Sequence, residues 1–319
     1  MTINDLECPN CGSNLKMKGN SVNCIKCNQE FPVISGIIDF YNKTDRFYEG
    51  KFDLENTRKK YFDKYPIATK LYLQISAFGF RNQHQKYYRK LPANSKVLDL
   101  GCGGGDPYLK NNNFRLIGID ISLSSLKIAK EIYDEVYRIA VPTLPFKSNS
   151  FDCVCSFDLI GHIPTVHKNE LLKEISRVLK PGGLSFHYIE VDSKKGLANW
   201  AKTAPVLYHK YFLEQDGHFG LEHHNKILGR FRKFGFLLID RKMFAKFIIP
   251  PIELAKRFNN EYKEKHWILK TMITFAYFIS RNIWINAFLG FVLKPYQIIF
   301  EPLVPDDYGG LLYVAYENK

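Results

Sequence analysis

Gly101, Gly103 and Gly105 alternate with Cys102 and Gly104 directly after the apolar run Val97-Leu98-Asp99-Leu100. Only glycine lets a main chain turn that tightly and approach a ligand with no Cβ in the way. Asp106 and Pro107 suit the N-cap and first position of a helix whose N–H groups point back at the turn. Nineteen residues beyond Gly101, Asp120 closes Arg115-Leu116-Ile117-Gly118-Ile119. A carboxylate at the C-terminal end of a strand accepts both hydroxyls of a ribose, so this stretch is expected to hold a nucleotide-like ligand.

A second donor set is Cys8, Cys11, Cys24 and Cys27, in the spacing C-x2-C-x12-C-x2-C. Two such knuckles deliver four thiolates to one tetrahedral zinc, whereas a disulfide reading needs an oxidising compartment that nothing in the chain supports. A unit of about forty residues buries too little apolar surface to fold unaided, so the zinc is expected to be structural. The other thiols, Cys102, Cys153 and Cys155, read as small apolar packing.

Candidates for proton transfer fall in two groups. Asp158, His162, His187, Tyr188 and Glu190 follow or end the fourth and fifth expected strands, and His218, Glu222, His223 and His224 come after Asp216-Gly217. His162 and His218 are the expected catalytic residues, each taken singly, because imidazole exchanges protons near neutrality. A catalytic metal on His218 to His224 is disfavoured, since no carboxylate-rich spacing accompanies those residues.

The elements that must position these residues alternate. Ser122 to Lys130 is a capped amphipathic helix, Glu135-Val136-Tyr137-Arg138-Ile139 a strand, Cys153-Val154-Cys155-Ser156-Phe157 another, Leu171 to Leu179 a helix and Leu184 to Val191 a strand. Strands joined by helices give a parallel, doubly wound α/β sheet. Residues 41–94 are charged and aromatic, with helices broken at Pro66 and ending before Pro92; Tyr48, Phe52, Tyr61 and Tyr65 are candidates to line a substrate entrance. At 319 residues, 45% of them hydrophobic and 24% charged, the chain has room for a catalytic core with appendages. Its net charge of +13 suggests an anionic partner, either nucleic acid or a membrane surface, or the steering of a charged small substrate, and charge alone does not choose among them.

Val97 through Gly105 resembles the first motif of the class I S-adenosylmethionine-dependent methyltransferases, and Gly118-Ile119-Asp120-Ile121-Ser122 is similar to their second. Pro145-Phe146-Lys147-Ser148-Asn149-Ser150-Phe151-Asp152 and His162-Ile163-Pro164 resemble the fourth-strand region, and Arg177-Val178-Leu179-Lys180-Pro181-Gly182-Gly183 the turn before the fifth strand. The resemblance implies methyl transfer from S-adenosyl-L-methionine and a mostly parallel seven-stranded sheet of Rossmann-like type. It implies cofactor contacts at Asp99, Gly101, Cys102, Gly103, Gly105, Asp120, Ile121 and Phe157. It also implies that Phe236-Leu237-Leu238-Ile239 and Leu311 to Ala315 are the last two, antiparallel strands. Two departures stand out: Ala140 occupies the position of an acid that reads adenine, and Asn111-Asn112-Asn113 shorten the turn before Asp120. Phe31 to Phe40, with the cysteines before it, resembles the small zinc ribbon of the activator subunit of certain tRNA and protein methyltransferases, also found fused to some bacterial methyltransferases.

The expected organisation is therefore a zinc ribbon over 1–40, a helical lid over 41–94, a core over 95–240 and 309–319, and an insertion over 241–308. Between Arg241 and Phe300 the insertion carries ten Lys or Arg against three Glu, with Trp267, Trp284 and many Phe among them. Thr271 to Leu293 nears the apolar density of a membrane span, but Arg281, Asn282 and Asn286 argue against a crossing and for an interfacial or lid-forming helix. This composition favours a small-molecule or lipid-like methyl acceptor and an anionic membrane surface. An RNA methyltransferase ranks second, since Ser156-Phe157-Asp158-Leu159 is no base-binding motif, and a non-enzymatic cofactor-binding module third. Asn4, Asp5 and Glu7 interrupt any signal-peptide pattern, so the expected location is cytoplasmic, peripheral at the membrane. The sequence does not reveal the oligomeric state.

Overall fold

The computed structural model describes residues 3–43, 45–51, 64, 67, 82–106, 109, 113–194, 196–246 and 267–319. The expectations placed on Phe52, Tyr61, Tyr65, Pro66, Pro107, Asn111, Asn112 and most of 241–266 fall outside the described residues.

The N-terminal segment folds into four short antiparallel strands, β1 (Leu15–Lys18), β2 (Ser21–Cys24), β3 (Glu30–Ile34) and β4 (Ile37–Asp39). Helices α1 (Arg46–Lys51) and α2 (Asn82–Tyr88) come next. The core then runs β5 (Lys96–Leu100), β6 (Arg115–Asp120), α3 (Leu123–Ala129), β7 (Glu135–Arg138), β8 (Phe151–Phe157), α4 (Lys168–Val178) and β9 (Leu179–Glu190). After the short helices α5 (Gly196–Ala201) and α6 (Pro205–Tyr208) come α7 (His224–Lys233), β10 (Phe236–Phe244), α8 (Trp267–Ser280), α9 (Ile283–Phe300) and β11 (Leu311–Asn318).

The central strands are buried on both faces, and alternate residues feed two separate cores. Leu98, Leu100, Ile117, Ile119 and Val154 pack on one side, and Val97, Leu116, Val136, Cys153 and Cys155 on the other. That is why these strands read as near-continuous apolar runs. α3 starts at Ser122, whose hydroxyl accepts from the Ser125 N–H at 3.2 Å.

Two expectations about the sheet need correction. Among the described residues it has eleven strands, not seven, in the order β1-β2-β3-β4-β7-β6-β5-β8-β9-β11-β10. It is mixed, not mostly parallel: five of its ten pairings are parallel and five antiparallel. The cause is β4, which pairs parallel to β7 at Ile38↔Tyr137 and Asp39↔Arg138 and joins the four N-terminal strands to the core. Without β4, β7 would present an open row of backbone N–H and C=O groups at the sheet edge.

In the insertion, Arg281 and Asn282 form the break between α8 and α9. Asn282 caps α9, its side-chain oxygen accepting from the N–H groups of Trp284 at 3.0 Å and Ile285 at 3.2 Å. Among the described residues no helix is long and apolar enough to cross a membrane.

Candidate active site

The chain leaves β5 toward β6 and β7 on one side, and β8 and β9 lie on the other, so the switch point of the sheet is the C-terminal end of β5. The turn Gly101 to Gly105 rises there. Gly103 has φ +52° and only open space where a Cβ would stand, so it offers bare backbone to the crevice. Gly105 has φ +94°, and a Cβ on it would lie 2.8 Å from the Tyr133 ring, so any side chain would lift the turn from its support.

Asp120 ends β6 beside this turn. Its carboxylate accepts from the N–H of Gly103 at 2.9 Å and of Ser122 at 2.8 Å. Each oxygen keeps capacity for a further donor such as a ribose hydroxyl. Ile121 follows, its carbonyl accepting from Arg138 Nε at 2.8 Å. Phe157 ends the adjacent β8 and stacks on Tyr188 with ring centroids 4.5 Å apart.

Asp99 and Cys102 lie on the core side of the turn. The Tyr133 hydroxyl donates to Asp99 Oδ2 at 2.5 Å and accepts from the Asp106 N–H at 3.1 Å, so the three residues brace the turn from behind. Burial pushes the Asp99 carboxyl up to about 7. Cys102 is buried, and its Sγ lies 2.8 Å from where a Cβ on Gly118 would stand, which accounts for glycine within β6.

His162 and His218, 56 residues apart in the chain, come together with ring centroids 4.7 Å apart. His162 Nδ1 is 3.0 Å from the Gly217 carbonyl, His218 Nδ1 is 3.2 Å from the Phe212 carbonyl, and His218 Nε2 contacts Glu190 at the end of β9. The Tyr48 ring of α1 packs edge-on to His162 at 6.5 Å. The other candidates are engaged elsewhere. His187 is enclosed between the hydroxyls of Ser156 at 2.8 Å and Ser185 at 2.7 Å, and burial lowers its pKa to about 3. Glu222 pairs with Arg230 at 2.8 Å, and His223 and His224 both face Asp307 at 3.1 Å.

Glu49, Tyr133 and Arg138 are site residues that sequence reasoning passed over. Glu49 reaches from α1 to the start of α3, accepting from the N–H of Leu123 at 2.7 Å and the hydroxyl of Ser124 at 2.8 Å. No local pattern reveals it. Arg138 did leave a signal, a cation between the buried Tyr137 and Ile139.

The four N-terminal thiols meet: Cys8 Sγ is 3.6 Å from Cys27 Sγ, and Cys11 Sγ is 3.4 Å from Cys24 Sγ. A tetrahedron of about 2.3 Å zinc–sulfur bonds has edges of about 3.8 Å, so the arrangement fits a zinc ion. The N–H groups of Lys26 and Cys27 both point at Cys24 Sγ at 3.4 Å, which favours a thiolate there.

A glycine turn at the switch point of a largely buried α/β sheet, with an acid ending the neighbouring strand, defines a nucleotide-cofactor-binding protein. Residues 98–186 match the methyltransferase domain family, so the chain carries an S-adenosylmethionine-dependent methyltransferase domain. It is similar to the tRNA (carboxymethyluridine(34)-5-O)-methyltransferase of Mus musculus, 31% identical over 105 residues that make up 33% of this chain and 16% of that protein. It is also similar to the tRNA (carboxymethyluridine(34)-5-O)-methyltransferase of Arabidopsis thaliana, 29% identical over 126 residues, 39% of this chain and 31% of that protein. The match thus spans 16% to 31% of the length of these relatives. Among solved structures, phosphoethanolamine N-methyltransferase 2 of Haemonchus contortus with S-adenosyl-L-methionine is 20% identical, with 91% of this chain and 62% of that one covered and a TM-score of 0.47.

The names of the two tRNA-modifying relatives overturn the order of acceptors read from composition, in which a small-molecule or lipid-like acceptor stood ahead of RNA. The physical reason is that cations and aromatic rings serve phosphate and stacked bases as well as they serve a lipid headgroup, so composition does not rank the two.

Proposed function

We propose that the chain is an RNA-directed methyltransferase that uses S-adenosyl-L-methionine and acts on tRNA. The observation that carries this reading is the similarity of 33% to 39% of the chain to enzymes named for tRNA modification. The net charge of +13 supports it, since phosphate neutralisation by Lys and Arg supplies most non-specific RNA affinity.

In this reading the cofactor lies over the backbone of Gly101, Gly103 and Gly105, with its ribose on Asp120 and its base near Ile121 and Phe157. The sulfonium supplies an activated methyl group, and the protein's task is to hold donor and acceptor in line and exclude water. His162 and His218, at the C-terminal ends of the strands next to this crevice, stand on the acceptor side. Cys8, Cys11, Cys24 and Cys27 hold a structural zinc that organises residues 1–40, a zinc ribbon whose last strand extends the catalytic sheet. Residues 41–94 and 241–308 are its lid and insertion, around a core of 95–240 and 309–319.

The test is methyl transfer from tritiated S-adenosylmethionine to a cell extract fractionated into RNA, protein, lipid and small metabolites. Label is expected in the tRNA fraction and removed by ribonuclease. Label confined to any other fraction would overturn the acceptor.

A further inference from the structure

Three side chains from three separate segments converge beside the cofactor crevice: His162 after β8, Glu190 at the end of β9, and His218 in the loop before α7. One donor atom from each lies within 4.8 Å of the other two. Each imidazole has its Nδ1 on a backbone carbonyl, that of Gly217 for His162 and that of Phe212 for His218. A carbonyl only accepts, so Nδ1 carries the proton in both rings and Nε2 is the lone-pair atom. A backbone carbonyl on the far nitrogen is the usual way in which a metal-ligating histidine is oriented.

The contact between His218 and Glu190 sharpens this. Nε2 of a neutral ring and a carboxylate oxygen would turn lone pairs on each other, so the contact needs a positive charge between them. A proton or a metal ion meets that need. The loop beside the cluster is tightly built: at Gly217, φ +76°, a Cβ would lie 2.9 Å from the Phe47 ring and 3.3 Å from His162 Nδ1, so a side chain there would crowd both rings. The other His/carboxylate cluster has a cation of its own. Asp307, which His223 and His224 face, already holds the Lys194 ammonium at 2.8 Å.

We infer that His162, His218 and Glu190 form a second metal site, distinct from the four cysteines, for a divalent first-row transition ion. Two imidazole nitrogens and one carboxylate, with no thiolate, suit Zn2+, Mn2+, Fe2+ or Co2+ better than Mg2+ or Ca2+, which prefer all-oxygen shells. Three protein ligands leave positions open, and the open side would take an oxygen donor of the methyl acceptor. The ion replaces proton transfer as the role of the two histidines. The inference does not depend on the acceptor being RNA.

The experiment adds Co2+ to the full chain purified with its zinc and reads visible absorption and metal content. One further cobalt per chain is expected, with ligand-field bands but without the near-ultraviolet thiolate-to-cobalt transition that displacement of zinc from the cysteines would produce. Glu190→Gln and His162→Asn should each weaken cobalt binding at least tenfold while keeping the first zinc. His162 is half-buried and carries the test if Glu190→Gln perturbs folding, which circular dichroism reports. No cobalt beyond the zinc complement would mean that a proton alone joins His218 and Glu190, and would overturn the site. Uptake unchanged in His162→Asn would overturn it too.

Discussion

Arg138 and Asp39 form a buried ion pair, Nη1 to Oδ2 at 2.9 Å, that ties the last N-terminal strand to the third strand of the catalytic core. The same guanidinium donates from Nε to the Ile121 carbonyl at 2.8 Å and lies 3.3 Å from Glu49 through Nη2. One side chain thus joins β4, the residue after Asp120, and α1. Asp39 also accepts from the N–H groups of Tyr41 at 3.0 Å and Asn42 at 2.7 Å, which turn the chain away from the sheet.

Removing one partner of such a pair strands the other charge. Asp39→Ala should therefore cost about 3–5 kcal/mol of stability. Denaturant unfolding measures it, and a loss of under about 1 kcal/mol, the range of exposed pairs, would mean the junction is solvated.

Asp120→Ala should weaken S-adenosylmethionine at least tenfold, because a charged acceptor of hydrogen bonds contributes about 1.5–3 kcal/mol. Asp120→Asn separates two effects: it keeps a carbonyl oxygen for the Gly103 N–H and loses the charge. Calorimetry with the cofactor should rank wild type above Asn and Asn above Ala; equal affinities would remove Asp120 from the binding site.

Asp99 makes stability depend on pH. Its folded pKa of about 7 stands above the 3.8 of an ordinary aspartate, so between those limits the native state binds more protons than the unfolded one. Stability from this group is then greatest below 3.8 and is lost as pH rises toward 7. Asp99→Asn removes the titration. The stability of wild type minus that of the variant should fall with rising pH across the window, by at most about 1.4 kcal/mol per pH unit. A difference flat from pH 4 to 8, read by thermal unfolding, would place a charged Asp99 in the native core throughout.

Cys24→Ser should abolish zinc binding at the proposed four-cysteine site and unfold the first forty residues, since metal binding and folding of so small a unit are one equilibrium. Elemental analysis and limited proteolysis check this. A zinc-free chain whose N-terminal segment resists protease would show that the sheet junction alone keeps the ribbon folded.

Much of the fold was legible because it is encoded locally. The spacing of Gly101, Gly103 and Gly105 marks a turn, Asp120 ends a strand that is buried on both faces and reads as an apolar run, and Ser122 caps the helix that follows. The four cysteines fall at knuckle spacing, and in the structure their sulfurs approach in pairs. Arg281 and Asn282 broke an apolar run in sequence because they are the turn and cap between two helices.

What stayed hidden needs two distant segments at once. The pairing of β4 with β7 is made by backbone groups that every residue carries, so no side-chain pattern announces it, and that single pairing turns the expected sheet into an eleven-stranded one. Glu49 lies 73 residues from Ser122 and reaches it only because α1 is folded against α3. Asp99 stands within the glycine motif, yet its carboxylate points to Tyr133, a direction fixed by core packing. His162 and His218 were singled out one at a time for their chemistry. Their meeting with Glu190 follows from the order of the strands, since adjacent β8 and β9 deliver His162 and Glu190 to the same end of the sheet and the loop before α7 returns His218 over them. Side-chain identity is written along the chain, but distance between side chains is a property of the packed sheet, and chemistry that depends on distance becomes visible only there.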